Sequence, residues 1–477
     1  MHILQATSEF YPYSKTGGLA DMVAGLSCAL ANAGHKLTVI TPLYRSINDF
    51  IINRSGIPMQ LDIELGAESI RGRLIPYETG EGIRVYFVEQ KDFFDRQGIY
   101  MENGEGYPDN PDRFIFLSKA ACRLSEMLPD APDVLHCHDW QTAMIPLLNG
   151  GRIPTCLTIH NLAYQGACAP DKFELTNLPG QYFTHKYAEY FQQFNPLKAG
   201  IISTDSLTTV SPGYAEEIVT RDFGEGLEGE LSGRADGLTG ILNGVDYSQW
   251  RTDENPHLKH GYCAKNMDGK ERIKLDLLDF LDLEDASKSP LFCYIGRLAD
   301  QKGLHLLYDV LRKWLPENDA SFVLLGTGDI HLESVFRELS TELPGKVRAL
   351  VQYSEPLAHR IKAAADFFLM PSKFEPCGLN QIYSLRYGTV PIVNAVGGLN
   401  DTVSPLTPQY ENGTGFVFHH HSPAGLTQCL DSAVRLFKSP DCLKNVRERG
   451  MEVDWGWSES IKKYEAIYET LLKPTRP

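Results

Sequence analysis

Two glycine turns that carry lysine residues are the segments of this sequence best suited to binding an anion. The first is KTGGLAD at residues 15–21, and the second is GRLADQKG at residues 296–303. Each follows a short apolar run typical of a strand and precedes a helix-like segment. A helix N-terminus in a glycine turn offers N–H groups and a positive dipole end to an anion, and the basic side chains add full charge. Because the turns are far apart in sequence, we predict a diphosphate gripped between two domains.

Polar motifs follow most of the other strand-like runs as well. The first half has HCHDW at 136–140 and HNLAYQG at 160–166, and the second half has Tyr353, EPCGL at 375–379 and GGLND at 397–401. Ligands of open α/β sheets bind outside the carboxyl ends of the strands. Unrelated loops would not all fall at strand ends, so the joint placement of these motifs predicts a binding site.

Each motif taken alone has a plainer interpretation. A lysine beside a Gly-Gly pair is more often a solvated loop residue, and Arg297 with Lys302 could be a pair on a helix face. His136 and His138 lie two apart on one strand face and could suggest zinc, but two nitrogens without a third ligand are weak evidence. Glu375 before a proline could be an ordinary turn carboxylate.

Composition and charge narrow the class of protein. The chain has 477 residues, of which 43% are hydrophobic, and this predicts two or three domains with their own cores. Its formal charge of −16 argues against nucleic-acid binding, so positive charge must be concentrated around any bound anion. Ten cysteines without C-x-x-C spacing, no secretory signal and no apolar run of about 20 residues predict a cytoplasmic protein with reduced thiols and no membrane association.

Strand-like and helix-like segments alternate twice along the chain. In the first half we predict strands at 3–6, 37–41, 85–88, 134–136, 156–159, 207–210 and 240–242, with helices such as 19–33 and 113–128 between them. In the second half we predict strands at 291–295, 322–325, 349–352, 367–370, 390–393 and 416–418. This alternation is typical of parallel sheets covered by helices on both faces.

We therefore predict two Rossmann-like, doubly wound α/β domains, at residues 1–244 and 245–456. The polar stretch 246–289 has no obvious strand, and we place a hinge near 244–250. Closure about this hinge is expected to assemble the site. In the final segment, 457–477, apolar residues recur at helical spacing, so this helix buries one face, and we expect it to pack back on the N-terminal domain.

Two common nucleotide-binding classes do not fit. A nicotinamide dehydrogenase should show G-x-G-x-x-G after its first strand, where this chain has KTGGL, and GTGD at 326–329 is only a partial match. The P-loop pattern G-x-x-x-x-G-K-[ST] is absent from the sequence. There is also no Asp-x-Asp pair of the type that holds a divalent metal against a nucleotide diphosphate, so we predict neither a metal nor a cofactor.

Taken together, the motifs resemble those of the bacterial glycogen synthases and plant starch synthases, which are retaining glucosyltransferases of the GT-B fold. The resemblance covers essentially the whole chain. The matching runs are SE 8–9, KTGGLAD 15–21, HDW 138–140, HNLAYQG 160–166, TVSP 209–212, ILNGVD 241–246, RL 297–298, QKG 301–303, FEPCGL 374–379, YGT 387–389, GGLNDTV 397–403 and DWGW 454–457. So many long matches in family order make a chance resemblance implausible.

The resemblance implies an activity and an architecture. It implies transfer of glucose from ADP-glucose to the non-reducing end of an α-1,4-glucan, such as glycogen or a malto-oligosaccharide, with retention of configuration. It also implies two domains that face each other across a cleft, in a monomer or weak homo-oligomer. The same fold could instead use UDP-glucose or another acceptor, or the chain could be a glucan-binding relative without turnover. A phosphorylase would need a pyridoxal-phosphate lysine in a longer, differently built chain.

The resemblance also implies residue roles. Arg297 and Lys302 would hold the diphosphate, Glu375 would hydrogen-bond glucose hydroxyls, and Asp139 and His160 would line the sugar, with the His160 carbonyl facing the anomeric carbon in a front-face reaction. A double displacement through Glu375 and Asp139 is disfavoured. The resemblance implies substrate-binding roles for Glu9, Lys15, Gly17, Gly18, Asp21, Asn161, Asn243, Tyr353, Cys377, Gly378, Leu379 and Asn380.

Three positions depart from related enzymes. Asn380 stands where the family usually has threonine, and Asn400 stands where it usually has alanine. Tyr383 occupies the place of a second glutamate in other retaining transferases, which the synthases also lack. Since Asn380 is expected close to the phosphate and ribose, we expect it to alter nucleotide affinity.

Overall fold

A computed structural model of the chain describes residues 1–47, 53, 55–102, 104–234, 237–283 and 288–473. The chain forms two compact units. Unit 1 is formed by Met1–Gly244 together with Trp457–Pro477, and unit 2 is formed by Val245–Gly456.

A nine-stranded sheet forms the centre of the described part of unit 1. Its strands are β1 (His2–Ala6), β2 (Lys36–Pro42), β3 (Met59–Leu65), β4 (Glu68–Glu78), β5 (Arg84–Glu89), β8 (Val134–His138), β9 (Thr155–Ile159), β12 (Ser206–Thr209) and β13 (Leu238–Gly240). The short strands β6 (Met101–Glu102) and β7 (Glu105–Gly106) pair with each other, as do β10 (Glu189–Tyr190) and β11 (Gln193–Phe194). The order across the sheet is β13-β12-β9-β8-β1-β2-β5-β4-β3.

This sheet is mixed, which corrects the prediction of a purely parallel one. Strands β3 and β4 pair antiparallel with each other, and β4 pairs antiparallel with β5. Neither β3 nor β4 was predicted, because the prediction relied on continuous apolar runs. In β3 apolar and polar residues alternate, and Leu61, Ile63 and Leu65 point into the core while the residues between them are exposed. The predicted strand 240–242 is observed two residues earlier, as β13.

Helices cover the sheet of unit 1. They are α1 (Gly18–Asn32), α2 (Lys91–Phe94), α3 (Asn110–Met127), α4 (Ile145–Asn149), α5 (Pro196–Ser203), α6 (Pro212–Glu217), α7 (Glu228–Ser232) and α16 (Trp457–Leu471). The predicted helices 19–33 and 113–128 correspond to α1 and α3.

The last helix, α16, completes the hydrophobic core of unit 1. Tyr464 and Tyr468 are fully buried in the cluster that contains Val23 and Val39. Helix α16 also packs against α1 so closely that a Cβ added to Gly25 would lie 2.5 Å from Nε1 of Trp457. The hydroxyl of Tyr468 is 2.8 Å from Nδ1 of His136, on β8. The C-terminal helix is therefore an integral part of unit 1.

Replacing Tyr468 with phenylalanine is expected to lower the free energy of unfolding by about 1–3 kcal/mol, because the buried Nδ1 of His136 loses its partner. Urea unfolding followed by circular dichroism measures the change. Tyr187→Phe, at a half-buried tyrosine of the same unit, is the control and should stay within about 0.5 kcal/mol of the wild type. Equal values for both variants would contradict a stabilising role for this hydrogen bond.

Unit 2 is built on a parallel sheet of six described strands. They are β14 (Leu291–Ile295), β15 (Ser321–Leu325), β16 (Val347–Leu350), β17 (Phe367–Met370), β18 (Val390–Asn394) and β19 (Phe416–Phe418). Their order is β16-β15-β14-β17-β18-β19, and every pairing is parallel. This is the strand order of a Rossmann fold, in which the chain winds first to one side of β14 and then to the other. The strand predicted at 349–352 is β16, two residues earlier.

The helices of unit 2 pack on both faces of this sheet. They are α8 (Asp268–Phe280), α9 (Leu304–Trp314), α10 (Ile330–Glu342), α11 (Glu355–Ala364), α12 (Asn380–Arg386), α13 (Gly397–Thr402), α14 (Pro423–Phe437) and α15 (Pro440–Glu452). One buried cluster includes Phe292 and Phe367, and a second includes Cys293 and Phe368, so successive residues of β14 and β17 serve opposite faces. The prediction of two doubly wound α/β domains is confirmed. Among the described residues, no helix is both long and apolar enough to cross a membrane.

Candidate active site

The strand order of unit 2 reverses between β14 and β17, and open α/β sheets bind ligands in the crevice at such a point. The segment after β14 contains Gly296, Arg297 and Lys302. The segment after β17 contains Glu375 and Gly378. Two motifs separated by more than 70 residues in sequence therefore emerge side by side at the carboxyl end of this sheet.

The side chains of Lys302 and Glu375 form the centre of this group. Nζ of Lys302 donates to both carboxylate oxygens of Glu375, at 2.9 and 2.6 Å. The hydroxyl of Ser372 donates to the same carboxylate at 3.0 Å. Glu375 is 5% exposed, whereas the Lys302 side chain is 21% exposed. A buried carboxylate thus fixes the position of an ammonium group that remains open to a ligand.

A glycine allows the two segments to approach each other. Gly303 has φ +68°, and a Cβ at this position would lie 1.8 Å from the carbonyl oxygen of Pro371. The backbone N–H of Lys373 donates to the Gln301 carbonyl at 2.9 Å. Arg297 is exposed, one residue beyond Gly296. The positive charge of Arg297 and Lys302 is therefore carried by one rigid turn.

The segment from Cys377 to Asn380 connects Glu375 to α12. Gly378 has φ +68°, and the backbone of Gly398 packs so tightly on Cys377 that a Cβ there would lie 2.1 Å from its carbonyl oxygen. Helix α12 begins at Asn380, directly after Leu379. Tyr353, after β16, is 77% exposed, so its ring is available for stacking.

In unit 1 the strand order reverses between β1 and β8, and the first glycine turn follows β1. The carboxylate of Glu9 accepts hydrogen bonds from the backbone N–H of Thr16 (2.5 Å), the hydroxyl of Thr16 (2.6 Å) and the N–H of Gly17 (3.3 Å). Nζ of Lys15 lies 2.8 Å from the carboxylate of Asp21. The turn thus already surrounds an anion of the protein itself, and its predicted role in phosphate binding stays a prediction. Gly18 begins α1.

Asp139 follows β8 in a left-handed conformation, with φ +58°. Its Oδ1 accepts hydrogen bonds from the backbone N–H groups of His160 (2.6 Å) and Asn161 (3.3 Å), which follow β9. Removal from water raises the pKa of Asp139 to about 7, against the effect of these two donors. The carboxyl group therefore changes charge near neutral pH, directly beside the backbone of His160.

The second histidine of HCHDW, His138, contacts the side chain of His160. Nδ1 of His138 lies 3.0 Å from Nε2 of His160, and Nε2 of His138 lies 3.2 Å from Oε1 of Gln5. Burial lowers the pKa of His160 to about 3 and that of His138 well below its usual value, which keeps both imidazoles neutral. Within the described residues, no group of three or more His, Cys, Asp or Glu side chains could hold a metal ion.

Two further predicted residues, Asn161 and Asn243, follow strands β9 and β13 of the same sheet. Oδ1 of Asn161 accepts from the N–H of Ala163 at 3.1 Å and shapes the loop that ends at Gly166. A Cβ at Gly166 would lie 2.1 Å from the Trp140 ring, so this loop packs directly on the indole. Asn243, after β13, is 7% exposed, and its Oδ1 has no hydrogen-bond partner among the described residues. An unpartnered buried oxygen of this kind fits a residue that binds a ligand hydroxyl.

Several residues that build the site were not predicted. Gln5 is a polar residue near the end of the buried strand β1, and that position was the available signal. Ser372 and Tyr100 gave no comparable signal in the sequence. The hydroxyl of Tyr100 donates to Glu9 at 2.7 Å, and that of Ser372 donates to Glu375. The roles of Gln5 and Tyr100 depend on contacts with residues distant in sequence, whereas Ser372 reaches Glu375 within one loop.

The chain matches two family models. Residues 2–233 match the model described as starch synthase catalytic domain, and residues 280–448 match the model described as glycosyl transferases group 1.

Whole-chain comparisons agree with these matches. The chain is 41% identical over 486 residues to a protein named glycogen synthase from Anaeromyxobacter sp. (strain Fw109-5), covering 99% of this chain and 100% of the relative. It is 38% identical to glycogen synthase 1 of Geobacter sulfurreducens, with 99% and 97% covered. Its structure is similar to the catalytic domain of starch synthase IV from Arabidopsis thaliana bound to ADP and acarbose, with a TM-score of 0.90, 32% identity and 99% of each chain covered.

Proposed function

This chain belongs to the family of glycogen synthases and starch synthases, and we propose that it transfers glucose from ADP-glucose to the non-reducing end of an α-1,4-glucan with retention of configuration. The observation that carries the proposal is the Lys302–Glu375 pair at the strand-order reversal of unit 2. A binder of neutral glucan has no need of an oriented ammonium group at that position.

The donor's diphosphate is assigned to the turn after β14. Lys302 and Arg297 carry the positive charge that stabilises the ADP leaving group as the bond from the anomeric carbon to the β-phosphate oxygen breaks. Glu375 has a double role in this proposal, because it holds Lys302 and presents a carboxylate to the glucose hydroxyls. The N–H groups of Gly378 and Leu379 would add donors to the phosphate.

The sugar and the acceptor glucan are assigned to residues of unit 1. Departure of ADP leaves an oxocarbenium-like sugar, which is stabilised by negative charge or by carbonyl dipoles. Two features supply these, namely the carboxyl of Asp139 and the backbone carbonyl of His160. The neutral imidazole of His160, whose pKa burial lowers to about 3, adds no repulsion to a cationic sugar.

The proton balance of the proposed reaction does not require a protein base. The acceptor hydroxyl oxygen forms the new bond to the anomeric carbon on the face that ADP leaves. The bonding electron pair remains on the β-phosphate oxygen, and that oxygen takes the acceptor's proton. Attack on the same face retains the configuration without a covalent intermediate.

The preference for the adenine nucleotide is supported by two observations. The similar plant enzyme was solved with ADP bound. In this chain the exposed ring of Tyr353 follows β16, next but one to β14 in the sheet, and can stack on a base.

Ten free cysteines support a reducing compartment, and we place the reaction in the cytoplasm.

Transfer of radiolabelled glucose to glycogen tests the proposal. ADP-glucose and UDP-glucose are supplied in parallel, with EDTA present, and we expect incorporation from ADP-glucose that Arg297→Ala lowers by about 10²-fold or more. The anomeric configuration of the product is read by NMR. Incorporation from UDP-glucose but not from ADP-glucose would still show glucosyl transfer, but it would overturn the assignment of ADP-glucose as the donor. Incorporation from neither donor, with glycogen still bound, would identify a glucan-binding protein without turnover.

A further inference from the structure

Lys362, on α11, places an ammonium group in the interior of unit 2 with no carboxylate partner in the described part of the chain. Its side chain is fully buried, and Nζ donates to Oδ1 of Asn380 at 2.8 Å. The same Nζ lies over the rings of Trp250, Phe368 and Tyr383, at 5.1, 4.8 and 5.4 Å from their centroids. Within the described residues no carboxylate lies within ion-pair distance of it. The ring faces compensate part of the charge, and the amide oxygen is its strongest acceptor.

In the part of the chain that the structure describes, each of the other buried cations of unit 2 has more hydrogen-bond acceptors than Lys362. Lys274 and Arg447 share the carboxylate of Asp366. Lys270 donates to three oxygens, namely those of the Ala363 carbonyl, the Tyr387 carbonyl and the Thr389 hydroxyl. Lys362 differs because Nζ makes one hydrogen bond among the described residues, and this bond reaches Asn380, the first residue of α12, directly after the segment assigned to the phosphate.

Asn380 uses its amide group to join two loops of the candidate site. Its Nδ2 donates to the carbonyl of Ile295 at 2.9 Å, and Ile295 is the last residue of β14. Rotating the amide by 180° would turn its NH₂ group towards Nζ of Lys362 and its oxygen towards the Ile295 carbonyl, so these two partners together fix the orientation. Asn380 therefore connects the start of the Gly296 turn to the residue that follows Leu379.

We propose that Lys362 is a positioning residue for the nucleotide donor: by orienting the Asn380 amide, it sets the spacing between the turn that begins at Gly296 and the segment that ends at Leu379. The inference rests on the proposed function, since it concerns the binding of the donor's diphosphate. We call the two hydrogen bonds of the Asn380 amide, to Lys362 and to Ile295, the bridge, and Asn380 acts through it. Its side chain is committed to Lys362 and Ile295, which replaces the sequence-based expectation of direct contact with the substrate.

The bridge also accounts for asparagine at a position where the family usually has threonine. A threonine side chain is too short to accept from Lys362 and donate to Ile295 at once. Asn380→Thr alone therefore leaves the buried Nζ of Lys362 without its hydrogen-bond acceptor. Lys362→Met alone leaves the amide oxygen without its donor, although methionine fits among the three aromatic rings. The two substitutions together remove both unpaired groups.

Calorimetric titration of the full-length protein with ADP tests this coupling in a double-mutant cycle. We expect Lys362→Met and Asn380→Thr each to raise the Kd for ADP about tenfold, while kcat at saturating donor changes by less than about threefold. In the double variant the Kd should fall below that of both single variants. Lys198→Met is the matched control, at a buried lysine of unit 1 whose Nζ donates to the carbonyls of His185 and Glu189, and it should lower stability towards urea without changing the Kd.

The outcomes separate this inference from the proposed function. ADP Kd values of both single variants within twofold of wild type, or losses that multiply in the double variant, would refute the bridge and leave the transferase assignment standing. A change in urea stability without a change in ADP affinity would show a merely structural role and refute it as well. Failure of the wild type to bind ADP would overturn the proposed function and the inference with it.

Discussion

Replacing Lys302 with alanine is expected to lower kcat for glucosyl transfer by about 10²–10³-fold. The ammonium of Lys302 is held by both oxygens of the buried Glu375, at 2.9 and 2.6 Å, so it is already oriented before the leaving group acquires charge. Interactions that strengthen as charge develops act on kcat more than on KM. Steady-state kinetics at saturating ADP-glucose and glycogen measure the effect.

A neighbouring lysine provides the control for this prediction. Nζ of Lys373 pairs with the carboxylate of Asp300 at 2.6 and 2.7 Å, but both side chains are largely exposed. Exposed pairs contribute only about 0–1 kcal/mol, so Lys373→Ala should leave kcat within about twofold. A loss of similar size in both variants would mean that general positive charge, and not the oriented ammonium of Lys302, supports the reaction.

The pH dependence of kcat is expected to reflect Asp139. With a pKa of about 7, the fraction of this carboxyl that is ionised rises about tenfold between pH 6 and 8, and kcat should rise with it because the carboxylate stabilises a cationic sugar. The pKa values of His136 and His160 are lowered to about 3, so these groups do not titrate in that range. Asp139→Asn should flatten the profile and lower kcat at pH 8 by about 10²-fold.

Lys362, whose ammonium lies beside the nucleotide segment, needs a control in this experiment. Burial lowers the pKa of Lys362 to about 7, so the same profile is recorded for Lys362→Met at saturating donor. If kcat still rises between pH 6 and 8 in Lys362→Met but not in Asp139→Asn, the rise is assigned to Asp139. If it is lost in Lys362→Met and kept in Asp139→Asn, this assignment is refuted.

Stability provides a second readout for Asp139. The pKa of this carboxyl is about 7 in the folded protein, against an ordinary value of 3.8, so the folded state binds more protons between these values. The contribution of Asp139 to the free energy of unfolding therefore falls as the pH rises from about 4 to 7. Relative to Asp139→Asn, the wild type should lose stability over that interval.

The sequence was sufficient to predict the strand ends that carry the site, because glycine turns and apolar runs are local signals. The turn at Gly296 and the motif at Glu375 were both predicted from the strands before them. That Lys302 reaches Glu375 could not be predicted from spacing, since 73 residues separate them and the contact depends on the neighbouring positions of β14 and β17.

Other features of the site escaped prediction for physical reasons. Lys362 lies on a helix, where lysine is usually solvated, and nothing local indicates that α11 turns this residue inward. His136 and His138 suggested a metal by their spacing, whereas their nitrogens contact Thr158, Tyr468, Gln5 and His160, on segments far apart in the sequence. A sequence pattern indicates on which face of a strand a side chain lies, but not which residue of another segment it contacts.

The return of α16 to unit 1 has a consequence for the order in which the protein folds on the ribosome. Unit 2 is one continuous segment, whereas the core of unit 1 lacks Tyr464 and Tyr468 until all of unit 2 has been synthesised. At about 5–20 residues per second, synthesis of the roughly 200 residues in between takes about 10–40 s. During that time the nascent chain exposes the apolar surface that α16 will cover. Chaperone capture of stalled chains should therefore be strongest for those that end just before Trp457.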